Sequence, residues 1–384
     1  MFKVFKRCVT VSVLGAAVLV GPAQAGYSNV VFFGDSISDT GNVLSLTNAF
    51  APPPFPNFPS APGRFSNGPA WTEYLASGLG FGTSAKPSNL LFAGLAQGVI
   101  PIGPQGGQNF AFGGARTGLG GAAGPTTGLI GQLVAWDGTP ALLGGGGLTR
   151  AADPNALYVI LAGANDLRDA RNTNPGANLA DAAARLAAAV ATAQNVANVL
   201  ALLAQVGAQH FLISNLPDLG KTPEAVAAGV VAASTDVTLH FNAALAAGTA
   251  GFDAFFESAT GIDLDIRTLD FHGLVENISN DALTNGGAKY GITNITNPCI
   301  APGPVSHQYF FPDATDINCA VSAFSDNLHP SGAVQRLLGQ LALNLVPEPG
   351  SLALVLLGMA LGLLRVGSKR RTAAFQCASA LQRA

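Results

Sequence analysis

The sequence predicts an α/β domain built on a mostly parallel central sheet. The runs Val30-Val31-Phe32-Phe33, Leu157-Tyr158-Val159-Ile160-Leu161 and Phe211-Leu212-Ile213 are continuously apolar rather than alternating. Strands buried on both faces of a parallel sheet read this way. Between the second and third runs, residues 177–206 are rich in Ala and Leu, with Asp181, Arg185, Gln194 and Asn198 recurring at about helical spacing before Gly207. That stretch predicts a long helix closed by a glycine, and strand, helix and strand in this order form a right-handed crossover. Each apolar run ends in polar or glycine-rich residues, at the carboxyl edge where open parallel sheets bind ligands.

The two ends of the chain read differently from this body. Lys3, Lys6 and Arg7 precede an apolar run from Val9 to Val20 that closes on Ala23-Gln24-Ala25, the layout of a secretory signal peptide over residues 1–25, with the mature chain starting at Gly26. A second apolar run, residues 352–364, follows Val346-Pro347-Glu348-Pro349-Gly350 and precedes Arg365, Lys369, Arg370 and Arg371. It is shorter than the roughly 20 residues that span a bilayer comfortably, and the bland reading is a tail anchor with Arg365 snorkelling outward. Residues 346–371 resemble the PEP-CTERM sorting signal of Gram-negative bacteria. That resemblance implies an exosortase-type processing enzyme as partner, transient membrane association through 352–364, and location in the periplasm, on the cell surface or in the extracellular matrix. Residues 372–384 extend beyond the usual pattern as a C-terminal extension.

Between the ends, residues 26–346 carry 11 Lys+Arg against 21 Asp+Glu, a net charge of −10 with His neutral. Such a surface repels a phosphate backbone and argues against nucleic acid as a partner. Roughly 320 residues suffice for one large α/β domain, and no linker splits residues 26–345. Cys8 falls in the signal peptide and Cys377 beyond the tail, leaving Cys299 and Cys319 in the body. In an oxidising compartment two such cysteines read as a disulfide. Two ligands without His or Cys partners do not make a zinc site. The proline-rich residues 51–63 predict a stiff extended surface loop, with a rim over an acyl pocket as the functional alternative. Residues 103–147 are rich in glycine, and no fixed-period repeat is present.

A serine hydroxyl must sit exposed beside a base and beside donors for a developing oxyanion before it can act as a nucleophile. Gly34-Asp35-Ser36-Ile37-Ser38-Asp39-Thr40-Gly41-Asn42 follows directly on the first buried run, which would project Ser36 from the sheet's carboxyl edge. A Gly-Asp-Ser triplet alone reads equally well as a helix N-cap. Five more segments follow in order: GRFSNGPAWTEYLA at 63–76, NFAFGGARTG at 109–118, GANDLRD at 163–169, NLPDLGKTP at 215–223 and DNLHP at 326–330. Together the six blocks resemble those of the GDSL/SGNH lipases and esterases over residues 27–345, and GRFSNGP resembles the branch holding plant GDSL lipases and autotransporter-type esterases. The resemblance implies a three-layer α/β/α SGNH-hydrolase, or flavodoxin-like, fold. It implies Ser36 as nucleophile, His329 as general base and Asp326 as its orienting carboxylate. It also implies an oxyanion hole from Ser36, Gly114 and Asn165, with adjacent Gly113 leaving the glycine's register open by one residue.

Physical chemistry agrees with these roles, since two backbone N–H groups and one amide can converge on one oxyanion and a nearby carboxylate stabilises an imidazolium. His210, His240, His272 and His307 lack such context and read as surface or partly satisfied polar residues. Asp35 reads as a ligand of the backbone around Ser36, and Asp166 as a turn residue. No phosphate loop or ligand cluster supports a metal or nucleotide cofactor. The leading expectation is an exported serine carboxylic-ester hydrolase with an acyl-Ser36 intermediate, acting on a small-molecule or lipid ester. The alternatives are an acyltransferase of the same fold and a non-catalytic surface or matrix protein, which would be expected to lack a catalytic residue.

Overall fold

The computed structural model describes residues 26–50, 55–56, 60–88, 106–139, 141–300 and 317–346. The signal-peptide and sorting-tail expectations, most of the proline-rich loop and His307 lie outside them. In chain order the elements are β1 (Val30–Gly34), α1 (Asn42–Phe50), α2 (Trp71–Gly78), α3 (Leu129–Asp137), β2 (Leu157–Leu161), α4 (Ala164–Thr173), α5 (Leu179–Gln205), β3 (His210–Ser214), α6 (Pro223–Ala227), α7 (Val231–Thr260), β4 (Asp265–Leu269), α8 (Phe271–Asn285) and α9 (Gly332–Leu345).

The strands pair in the order β1-β2-β3-β4, all parallel. Residues 108–112 continue the sheet past β1: Phe32 N–H donates to the Gln108 carbonyl at 2.9 Å, and the N–H groups of Phe110 and Phe112 donate to the carbonyls of Phe32 and Gly34. The spatial order therefore runs outward in both directions from the β1/β2 pair. That reversal is a topological switch point, and it opens a crevice at the carboxyl ends of β1 and β2. The three apolar runs of the sequence are β1, β2 and β3, with β1 and β2 buried along their whole length. β4 is an edge strand, its first four residues only partly buried or exposed.

Register separates the two helical layers. Val31 pairs with Tyr158 and Phe32 with Val159, and paired residues point to the same face. Trp71 of α2 meets Phe32 edge-on at 6.4 Å, and Trp136 of α3 meets Tyr158 edge-on at 6.1 Å, so α2 and α3 cover opposite faces. α9 packs on α2, while α5 lies beside α3 and α7. This is the expected three-layer arrangement. α5 starts at Asn178, whose side chain accepts from Asp181 N–H, and so spans the helix predicted over 177–206 to within two residues.

In-register pairing brings the strands' carboxyl ends to one edge. The segments that leave them, 35–37, 164–165, 217–222 and 271–279, line one cleft together with 323–334 from the approach to α9.

Candidate active site

The turn after β1 presents Ser36, almost buried at 8 % exposure. Its Oγ lies 2.8 Å from Nε2 of His329, and His329 Nδ1 lies 2.8 Å from Oδ2 of Asp326. Asp326 is fixed in turn: its Oδ1 accepts the N–H groups of Leu328 at 2.8 Å and His329 at 2.7 Å. The residues Asp326 and His329, three apart on a tight turn, thus meet a serine almost 300 positions away through one continuous chain of hydrogen bonds.

Several side chains hold the Ser36 turn. Asp35 Oδ1 accepts from Ile37 N–H at 3.0 Å, while its Oδ2 has no partner among the described residues. Burial pushes the Asp35 carboxyl up to about 6, against the downward pull of the Ile37 N–H and of His329. Asp39 is wholly buried and accepts the backbone N–H groups of Gly41, Asn42, Val43 and Gly113. Burial raises it to about 6 as well, those four donors opposing the rise. Asn42 donates to the carbonyls of Asn109 and Ala111. The GDSISDTGN block is thereby tied to the glycine turn at 113–114.

That turn distinguishes its two glycines. Gly113 N–H is committed to Asp39 Oδ2 at 2.9 Å, and a Cβ on Gly113 would stand 2.2 Å from Cζ of Phe65. Gly114 has φ +76°, and a Cβ there would meet the Ala122 methyl at 2.8 Å, so no other residue fits without strain. Its N–H has no hydrogen-bond partner among the described residues, and neither has that of Ser36. The next carbonyl, Ala115, accepts from Asn165 Nδ2 at 2.9 Å, and Asn165 Oδ1 accepts from Arg168 Nη1 at 3.4 Å. One Nδ2 hydrogen of Asn165 is left over among the described residues. Ser36, Asn165 and His329 border the same cleft, and Gly114 adjoins Ala115, whose carbonyl Asn165 binds.

The cleft is about 740 Å³ including its open mouth, and it is mainly apolar, with Phe271, Val275 and Ile278 of α8 forming one wall. Those three occupy one face of a helix. Lys221 lies at the border, paired with Glu276 at 3.3 Å.

Asp166, expected in a turn, lies instead in the first turn of helix α4. Asp166 accepts from the N–H and hydroxyl of Thr117, a structural bond, and burial raises its carboxyl above the ordinary range. His210 pairs with Asp265 and His240 with Asp236, while His272 Nδ1 is buried without a partner among the described residues. Cys299 and Cys319 form a disulfide. Sequence reading left GRFSNG without a task, yet Phe65 lies 5.2 Å from the His329 ring, Ser66 Oγ donates to the Pro330 carbonyl, and Asn67 Oδ1 accepts from Gly332 N–H. This block grips the loop that carries His329. No sequence signal pairs it with residues some 265 positions later.

Asp326, His329 and Ser36 thus meet at the switch point of a parallel sheet. The family model described as GDSL-like Lipase/Acylhydrolase matches residues 30–342. The chain belongs to this family. Among curated proteins it is 29% identical over 365 residues to Esterase EstA of Pseudomonas aeruginosa, covering 89% of this chain and 50% of that one. It is 27% identical over 322 residues to the Thermolabile hemolysin of Vibrio parahaemolyticus, covering 82% and 62%. It is 28% identical over 222 residues to the Phosphatidylcholine-sterol acyltransferase of Aeromonas hydrophila, covering 57% and 53%. The chain thus spans between half and about three fifths of these relatives' lengths.

Proposed function

We propose that the chain is an exported serine carboxylic-ester hydrolase working through an acyl-Ser36 intermediate. The observation that carries this reading is the unbroken Asp326–His329–Ser36 hydrogen-bond chain bordering an apolar cleft. In the first half-reaction His329 Nε2 takes the Ser36 proton as Oγ attacks the ester carbonyl, and Asp326 keeps the imidazole proton on Nδ1 and stabilises the imidazolium. The carbonyl oxygen, now an anion, is held by the N–H groups of Ser36 and Gly114 and by the spare Nδ2 hydrogen of Asn165. The tetrahedral species expels the alcohol, which takes the proton from His329. Water then repeats the sequence on the acyl-Ser36 ester and releases the acid. The apolar wall of Phe271, Val275 and Ile278 suits an acyl chain, so the substrate class is a small-molecule or lipid ester. A purified Ser36→Ala protein that remains folded and still turns over esters at near-normal rate would sink this reading.

A second reading is supported by the relative named as an acyltransferase: an acceptor hydroxyl replaces water in the second half-reaction. Product analysis in the presence of an acceptor alcohol separates the two.

The finer assignments belong to the same proposal. Residues 1–25 act as a signal peptide, 26–345 form the hydrolase domain of the plant-type and autotransporter-type branch, and 346–371 serve as a PEP-CTERM signal for an exosortase. Their basis is the charge and hydropathy pattern of the two ends and the GRFSNGP block. Recovery of exported protein that retains the residues after Pro349 would overturn the processing step.

A further inference from the structure

We propose that Glu224 is a positioning residue for the reaction: its carboxylate locks Arg168 so that the Asn165 amide presents Nδ2, not Oδ1, to the reacting oxygen. This rests on the reading of Asn165 as an oxyanion donor. An asparagine turned the wrong way would aim a partial negative charge at the developing anion. Two contacts fix the turn of this one, because only nitrogen can donate to the Ala115 carbonyl and only oxygen can accept from Arg168 Nη1.

Arg168 can hold that oxygen only if its own guanidinium is held. Its Nε donates to Glu224 Oε2 at 3.0 Å and its Nη2 to Oε1, a fork-on-fork pair with one allowed geometry. Glu224 Oε2 also accepts from Nη2 of Arg171, which is 1 % exposed and whose Nη1 donates to Ser234 Oγ at 2.8 Å. The clamp is thereby anchored on α7. Burial alone would raise the Glu224 carboxyl, but Arg168 and Arg171 outweigh it and hold it below the ordinary carboxylate range. The same residue reaches the base: Glu224 N–H donates to the Asn327 carbonyl at 2.8 Å, between Asp326 and His329. Thr222 caps α6 through Ala225 N–H, which sets the direction in which Glu224 leaves the helix. One residue therefore touches, directly or through one guanidinium, both halves of the machinery. Any non-proline residue at 224 keeps the backbone bond, so side-chain replacement leaves the Asn327 contact in place.

The test is a double-mutant cycle on the full chain with a chromogenic ester. Glu224→Gln should lower kcat roughly 10- to 100-fold, the scale of a displacement of about 1 Å, with KM changed less than about threefold. In an Asn165→Ala background the same substitution should cost less than about twofold, because the amide it positions is gone. An equal loss in both backgrounds, or an unchanged kcat in the wild-type background, overturns the proposal. So does a gain in kcat, which would mean that the two arginines act by charge alone and that Glu224 only dampens them. If Glu224→Gln does not accumulate folded, Arg168→Gln carries the same cycle with the same outcomes. The underlying reading fails separately: Asn165→Ala alone would then leave kcat unchanged.

Discussion

Asp326→Asn exchanges one carboxylate oxygen for an NH2 group, and the structure decides which. Oδ1 serves two backbone donors, the part-buried Leu328 N–H and the buried His329 N–H, whereas among the described residues Oδ2 serves His329 Nδ1 alone. Turning the amide so that its oxygen faces His329 would leave both backbone donors against an NH2 group, at about 1–3 kcal/mol each. The orientation that keeps them sacrifices only the imidazole contact, so it wins. In it the asparagine NH2 faces Nδ1, forces Nδ1 to accept, and moves the imidazole proton to Nε2, where it faces Ser36 Oγ. The base is then occupied by its own proton. Loss of kcat by about 10⁴-fold, or about 5.5 kcal/mol, is expected from the wrong tautomer. KM and the thermal midpoint should move little, because the loop keeps its backbone bonds. Steady-state kinetics and thermal unfolding on the same preparation check this. A folded Asp326→Asn protein within tenfold of the wild-type kcat would refute the tautomer argument.

Two further outcomes follow from the same structure. The Asp35 carboxyl, ordinarily at 3.8, stands at about 6 in the fold. The unfolded chain therefore releases this proton first, and the group's cost to stability is absent below about pH 4, grows as pH rises and is complete above about 6, on the order of 3 kcal/mol at 1.36 kcal/mol per pH unit. Asp35→Asn abolishes that titration, so the stability of wild type minus variant should fall by about this amount between pH 4 and 7; a difference in urea midpoints that stays flat with pH would contradict it. Removing the Cys299–Cys319 bridge, with its sequence separation of 20, should cost about 3 kcal/mol by the chain-entropy relation, measured as a lower denaturant midpoint for the double Ser variant. Two free thiols in purified wild-type protein would show the bridge absent.

What the sequence made legible tracks how local the physics is. β1, β2 and β3 stood out because strands buried on both faces must be continuously apolar, and Ser36, Asn165 and His329 stood out because each sits in a block that resembles those of the GDSL/SGNH hydrolases. β4 did not, since an edge strand such as Asp265–Leu269 alternates charge with apolar residues. The segment 108–112, hidden in a glycine-rich stretch, could be recognised as sheet only once β1 offered it an edge. The task of GRFSNG and the Arg168–Glu224–Arg171 cluster were invisible for a different reason. Their partners lie 53 to 265 positions apart, and a lone arginine or glutamate reads in sequence as a solvated charge. Gly113 and Gly114 could be told apart only by where Asp39 points.

The central claim is that the acyl group passes through Ser36. Rapid acid quench of the protein turning over an ester, followed by peptide mass spectrometry, tests it most directly, since a covalent intermediate that accumulates before hydrolysis is the mark of nucleophilic catalysis. The account predicts the mass of the acyl group on the peptide carrying Ser36, absent from Ser36→Ala. An acyl adduct on another residue, or ester turnover by a folded Ser36→Ala protein, would contradict it.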